Sequence, residues 1–290
     1  MPSTPSLSRV THSETARGAL RTALRPVPTS VLRDASHRGG TLGALARQGL
    51  RHRLVEVAHG PLAGMRVDVG GSNPAYVVGT NERPVQEALE QLLEPGSTCY
   101  DVGANIGYFT LLASRLVGPA GRVVAFEPAP ENLAVLAGNV ERNGADNVLL
   151  SSRAVSRSTG ADRLQLASFS GGHSLVEAAG GNTGVAPLVE TVALDDFVDT
   201  AGVPRPDLVK IDVEGAELLV LEGMTRLLGE GGPIVLVEAD GADEAEHDRR
   251  LAPISELLTD RGYRLERLED SYPTIEWVVS HWVARPPSGG

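Results

Sequence analysis

The sequence predicts a doubly wound α/β fold of Rossmann-like type, and three observations point to it. Short Val- and Leu-rich runs alternate with amphipathic stretches between residues 98 and 261. Such runs are what a parallel sheet buried on both faces requires. A glycine-bearing segment, Asp101-Val102-Gly103-Ala104-Asn105-Ile106-Gly107, joins the first run to the first amphipathic stretch. Hydrophobic residues make up 41% of the 290 positions and aromatic residues only 4%, so the core is built from Val, Leu and Ala.

Before residue 98, Leu54–Val69 reads as a β-hairpin, "LVEVA" and "MRVDV" joined by a Gly/Pro turn. Pro84–Leu93 has helical spacing and stops at Glu94-Pro95-Gly96. Strands are then predicted at 98–102, 122–127 and 147–151, with helices at Ile106–Val117 and Pro130–Asn143. Residues 156–187 interrupt the rhythm with Ser, Gly and short β-like pieces. The stretch 188–194 leads to a short helix around Asp195–Val198. A strand at 207–213 precedes a helix from Ala216 to Leu228. A strand at 233–238 precedes a helix at Glu244–Arg261. Two closing strands, 263–268 and 276–284, are expected to be antiparallel. Parallel strands joined by helices need right-handed crossovers, and ligands in such sheets sit at the carboxyl ends of the strands.

Composition narrows the partners. The formal charge of −11 divides unevenly: residues 1–53 hold nine Arg against Glu14 and Asp34, which is +7, and the remainder carries −18. An acidic body argues against nucleic acid, whose phosphates need a basic face. The Arg-rich residues 1–53 read as a partly ordered extension, with a short helix at Thr41–Arg53. Residues 54–285 form the expected catalytic domain and 286–290 a tail. No run approaches the ~18 apolar residues that span a bilayer. With no signal-peptide core at the start, the expectation is a cytoplasmic protein without a membrane span. Cys99, the sole cysteine, excludes an internal disulfide and reads as buried packing. The sequence leaves oligomeric state open, a homodimer included.

The turn after the first strand carries the chemistry. Gly103 permits a tight turn, Gly107 a close helix approach, and Asp101 places a carboxylate at the strand end. A dinucleotide site would show G-x-G-x-x-G to receive a pyrophosphate, and that pattern is absent here. An acidic strand end suits a sulfonium and an ammonium, the charges of S-adenosylmethionine, better than a phosphate. Glu127, at the end of the second strand, can accept from ribose hydroxyls.

These residues resemble the FkbM family of methyltransferases. The similarity covers roughly residues 80–268. It rests on "DVGANIGYFTLLAS" (101–114), "VVAFEPAPENLAVLAGNVERNG" (123–144), "AVSRSTG" (154–160), "VETVALDDFV" (189–198), "DLVKIDVEGAELLVLEGM" (207–224) and "PIVLVE" (233–238). The resemblance implies a class I methyltransferase fold, seven strands in the order 3-2-1-4-5-7-6 with helices on both faces, and S-adenosylmethionine as donor. It places Asp101, Gly103, Asn105 and Gly107 along the methionine part, Glu127 on the ribose, and Pro128 and Asn132 near the adenosine. Thr80 and Glu82 match the segment covering the donor from outside. Members of the family mostly methylate hydroxyls of sugars, glycolipids or polyketide-type natural products, so the expected acceptor is a small molecule. N- or C-methylation by the same fold, or donor binding without catalysis, remain alternatives.

Transfer to a hydroxyl needs a base or a metal to take the proton. Asp212 is the leading candidate base. Glu214 would share its face if the strand continues that far, Lys210 would pair with a neighbouring acid, and His173 offers an imidazole in a glycine-rich loop. Asp212, Glu238 and Asp240 could together supply oxygen ligands to Mg²⁺, or could cap helices and satisfy loop amides. His281 and Trp282 read as packing.

Overall fold

The structure is a computed structural model and describes residues 53–70, 75–165, 174–175, 187–229, 231–271 and 277–287. The Arg-rich residues 1–52, with nearly all of the helix expected at Thr41–Arg53, lie outside them, and so does His173.

The apolar runs form the strands of one seven-stranded sheet. Its members are β3 (Thr98–Val102), β4 (Arg122–Phe126), β5 (Val148–Ser151), β10 (Leu208–Ile211), β11 (Ile234–Gly241), β12 (Arg264–Arg267) and β13 (Val278–Arg285). The order is β12-β13-β11-β10-β3-β4-β5. Counted within the sheet in chain order from β5, that is 3-2-1-4-5-7-6. Neighbours from β5 to β11 are parallel, while β13 runs antiparallel to both β11 and β12. The chain leaves β3 toward β4 and later returns to β10 on its other side, so the switch in strand order falls between β3 and β10. Open α/β sheets bind ligands there.

Strand alternation sorts side chains between two cores. Cys99, Val123, Ala125, Leu208 and Leu236 face one. Tyr100, Val102, Val124, Phe126, Val209, Ile211 and Val237 face the other. Helices α2 (Arg83–Leu92), α3 (Tyr108–Val117) and α4 (Pro130–Arg142) contribute to the first core. Helices α5 (Leu194–Thr200), α6 (Glu217–Glu222) and α7 (Glu244–Thr259) contribute to the second. By the same alternation Asp101 shares a face with Cys99, Lys210 with Leu208, and Glu238 with Leu236. Three charged groups are thereby delivered to one face at the carboxyl ends of three adjacent strands.

The predicted hairpin is present as β1 (Leu54–Glu56) and β2 (Arg66–Asp68), and a one-turn helix α1 (Ala75–Val78) follows it. Asn139 of α4 fastens the hairpin to the glycine turn. Its Oδ1 accepts the Asp68 N–H at 2.7 Å, and its Nδ2 donates to Asp68 O at 2.9 Å and Ile106 O at 2.8 Å. A second sheet, β6-β9-β7-β8, is built from β6 (Ala154–Val155), β7 (Gly160–Gln165), β8 (Ser174–Leu175) and β9 (Leu188–Val192). Among the described residues no helix is long and apolar enough to cross a membrane.

Several boundaries depart from the sequence expectation for local reasons. Helix α3 starts at Tyr108 rather than Ile106 because Gly107 caps it in the left-handed region, φ 89°. Strand β10 ends at Ile211, not Val213. A Cβ on Gly103 would lie 1.8 Å from Asp212 O, so the two loops cross in contact, and Glu214 then turns left-handed at φ 55°. Asp212 and Glu214 therefore do not share a strand face. Helix α6 stops at Glu222, six residues early, where Gly223 packs against Ser156 O. Strand β11 runs three residues past Glu238 because β13 continues to pair with it as far as Gly241↔Val278.

Candidate active site

A cleft enclosing about 260 Å³ of space, open solvent included, lies at the switch point. Tyr76, Asp101, the Gly103–Ile106 turn, Tyr108, Phe109, Lys210 and Asp212 line it. Asp101, the last polar side chain of β3, is 1% exposed. Its Oδ2 accepts from Thr110 Oγ1 at 2.5 Å, while Oδ1 makes no hydrogen bond and lies 3.8 Å from Lys210 Nζ. Burial pushes the Asp101 carboxyl up, and Lys210 opposes that.

Lys210 is the only lysine in the chain and is buried. Its Nζ donates to Asp212 Oδ2 at 2.9 Å and lies 4.9 Å from the centroid of the Phe109 ring. Burial acts to lower its pKa, but Asp212 and Asp101 together outweigh that and raise it. The expected pairing of Lys210 with an acid is present. Asp212 is thereby fixed beside the cleft by a buried ammonium.

Glu127, one residue past β4, is 4% exposed. Its Oε2 accepts the Asn105 N–H at 2.8 Å and its Oε1 the Ala129 N–H at 2.9 Å, and the Asn132 side chain also bonds to it. Burial raises its pKa to about 7 against these three bonds. A carboxylate has roughly four lone-pair sites, so capacity for one ligand hydroxyl remains, and for a second when Asn132 turns to the ligand. Asn105, at φ 50°, aims its N–H at this carboxylate. Pro128 is half-buried beside it.

The turn glycines also permit close packing around the site. Gly103 lines the cleft, but its missing Cβ chiefly admits the Asp212 carbonyl. Gly107 admits the Leu136 side chain, where a Cβ would stand 2.3 Å from Cδ1, so it serves helix packing. Thr80 is exposed and is not among the cleft-lining residues; Tyr76 is, its ring centroid 4.8 Å from that of Tyr108.

The proposed Mg²⁺ set is not assembled. Asp240 accepts from Arg250 at 2.6 Å, and Arg250 also binds Glu246 at 2.8 Å. Asp212 is held by Lys210. Glu238 instead meets His281, directly opposite on β13, with His281 Nε2 2.7 Å from Glu238 Oε2. Glu82 Oε2 lies 3.9 Å from the same nitrogen. His281 is thus no simple packing residue, although nothing in its apolar strand "WVVSHWVA" signals this without knowing that β13 pairs with β11. Glu82, matched to the donor cover, belongs to this cluster. Glu214 is half-buried near Asp212, Glu238 and Asp240; burial and then these charges push its carboxyl up to about 9.

A switch-point cleft with acidic strand ends on this strand order is the arrangement of a Rossmann-like methyltransferase. Residues 101–265 match the methyltransferase FkbM domain, and the chain belongs to that family. The hexuronic acid methyltransferase AglP of Haloferax volcanii is 31% identical over 196 residues, covering 65% of this chain and 74% of that protein. The 31-O-demethyl-FK506 methyltransferase FkbM of Streptomyces tacrolimicus is 28% identical over 225 residues, covering 68% and 84%. A crystal structure of methyltransferase FkbM from Methylobacillus flagellatus aligns with a TM-score of 0.47 at 17% identity, over 84% of this chain and 59% of that one.

Proposed function

We propose that the protein is an S-adenosylmethionine-dependent O-methyltransferase acting on a hydroxyl of a small molecule, of sugar, glycoside or polyketide type. One observation carries the donor assignment: Asp101 Oδ1 is buried, faces the cleft and makes no hydrogen bond, while the nearly buried Glu127 stands across the same turn. A buried acceptor atom left unbonded is costly, and an ammonium donor would satisfy it. The acidic strand ends favour a cationic nucleoside over a pyrophosphate cofactor. The O-methyltransferase relative, named for a demethylated oxygen, supports a hydroxyl acceptor.

In this reading Asp101 accepts from the methionine ammonium, Glu127 from the ribose, and Asn132 and Pro128 border the adenosine. Tyr76 and Tyr108 cover the cleft and keep water from it. When bound, S-adenosylmethionine supplies an activated methyl: the acceptor oxygen bonds to carbon as the S–CH₃ bond breaks, leaving a neutral thioether. The protein mainly supplies position, since the methyl is already activated. Lys210 fixes Asp212 on the cleft, beside Glu214 and Glu238, and the Asp212 carboxylate takes the proton that the acceptor hydroxyl gives up as its oxygen bonds to the methyl carbon.

Calorimetry with S-adenosylhomocysteine, followed by mass spectrometry of acceptor panels incubated with the donor, tests the proposal. Micromolar binding and a 14-Da gain on a hydroxyl compound are expected. Absence of nucleoside binding would overturn it.

A further inference from the structure

We propose that Glu82, Glu238 and His281 form a binding site for one divalent transition-metal ion of the Mn²⁺, Fe²⁺ or Zn²⁺ kind. One ligand atom from each lies within 4.8 Å of the other two. Around an ion with bonds of about 2.1 Å, neighbouring ligand atoms stand about 3–3.4 Å apart. The 2.7 Å His281–Glu238 contact and the 3.9 Å His281–Glu82 contact bracket that spacing. The set mixes one imidazole with two carboxylates, which suits borderline ions; Mg²⁺ prefers oxygen alone.

The surroundings support the assignment independently of the acids. Ligating histidines usually bond their second nitrogen to an orienting group, and ligating carboxylates are themselves hydrogen-bonded. Here Ser271 Oγ stands 3.3 Å from His281 Nδ1, and Asn81 Nδ2 donates to Glu82 Oε1 at 2.7 Å. Tyr108 is buried and lies close enough to Glu82 for that charge to raise its pKa, burial being the larger cause and a Gln86 hydrogen bond opposing both. Glu82 and His281 are 6% and 4% exposed, whereas the Glu238 side chain is 16% exposed and lies near Asp212, which lines the cleft. One coordination side thus faces the place where the acceptor would enter. Resting on the O-methyltransferase reading, an ion there would lower the pKa of the acceptor hydroxyl and ease its deprotonation.

The test is metal binding by the intact chain after EDTA treatment, read by calorimetry and by Mn²⁺ electron paramagnetic resonance, with Zn²⁺ and Mg²⁺ as comparisons. One Mn²⁺ or Zn²⁺ per chain is expected, with Mg²⁺ weaker. His281→Gln and Glu82→Gln should each weaken binding by at least about tenfold, since even outer-shell losses cost that much. Glu244→Gln, in a separate surface cluster, should change nothing. Should His281→Gln fail to fold, Ser271→Ala serves as the milder variant, with about a tenfold loss expected. No binding at millimolar metal, or equal binding by the variants, overturns the site. S-adenosylhomocysteine titrated into the same stripped protein separates the two proposals: nucleoside binding without metal binding removes only this one, and the converse removes only the methyltransferase reading.

Discussion

Glu127 accepts the backbone N–H of Asn105 at 2.8 Å, so the tip of β4 is fastened to the turn that follows β3. The same carboxylate shapes the turn and is the proposed ribose partner. Glu127→Ala should weaken S-adenosylhomocysteine binding by roughly 10–100-fold, the scale of hydrogen bonds to a charged group. Isothermal calorimetry reads this directly, and unchanged affinity would remove Glu127 from the site.

Nucleoside affinity should rise with pH across neutrality. Burial holds the free Glu127 carboxyl at about 7. Ribose hydroxyls donating to it favour the anion, so its pKa falls on binding. Affinity is then lowest where Glu127 is protonated in both states, climbs as pH passes through 7, and levels above the free value. For the empty protein the sign is opposite. A folded pKa raised above the unfolded one favours the fold at low pH, and that contribution fades as pH rises from about 4.3 toward 7. Thermal shifts induced by S-adenosylhomocysteine should therefore be larger at pH 8 than at pH 6 in wild type, and this difference should shrink in Glu127→Gln. A flat profile in wild type would contradict the assignment.

Lys210 compensates two acids, Asp212 at 2.9 Å and Asp101 at 3.8 Å. Lys210→Met keeps much of the volume but leaves Asp101 buried without its cation. Removing one partner of a buried pair costs about 3–5 kcal/mol. A domain of this size should then melt at least about 6 °C lower. A loss under about 1 °C would mean that Asp101 is protonated in the native state.

Gly103 sits at φ 83°, and a Cβ there would meet Asp212 O at 1.8 Å. Because the obstacle is backbone, it cannot simply swing aside. Gly103→Ala should cost more than about 4 kcal/mol or abolish soluble expression, beyond the common range of single substitutions. Urea unfolding and soluble yield measure it, and near-normal stability would show that the two loops are not in contact.

Much of the fold is legible in the sequence because buried parallel strands and glycine stops leave strong local marks. "TCYDV" at 98–102 is buried at every position, and the Asp101–Gly107 turn falls where its glycines place it. Asp101 and Glu127 are legible for the same reason, each lying at or just past the end of an apolar run. What local pattern cannot carry is pairing between distant strands. The facing of Glu238 and His281 depends on β13 inserting beside β11, forty-three positions away in sequence. Asp240 looked available from spacing alone; Arg250, one helix later, takes it. The chain's single lysine, placed between two acids at a strand end, was the one sequence signal of a buried charge network that composition offered.

The most direct measurement is a crystal structure of the full chain grown with S-adenosylhomocysteine. The account predicts the nucleoside in the cleft between β3 and β10, its amino group on Asp101 and its ribose hydroxyls on Glu127. Clear density for the nucleoside at any other place, with the cleft beside Asp101 left to solvent, would contradict it.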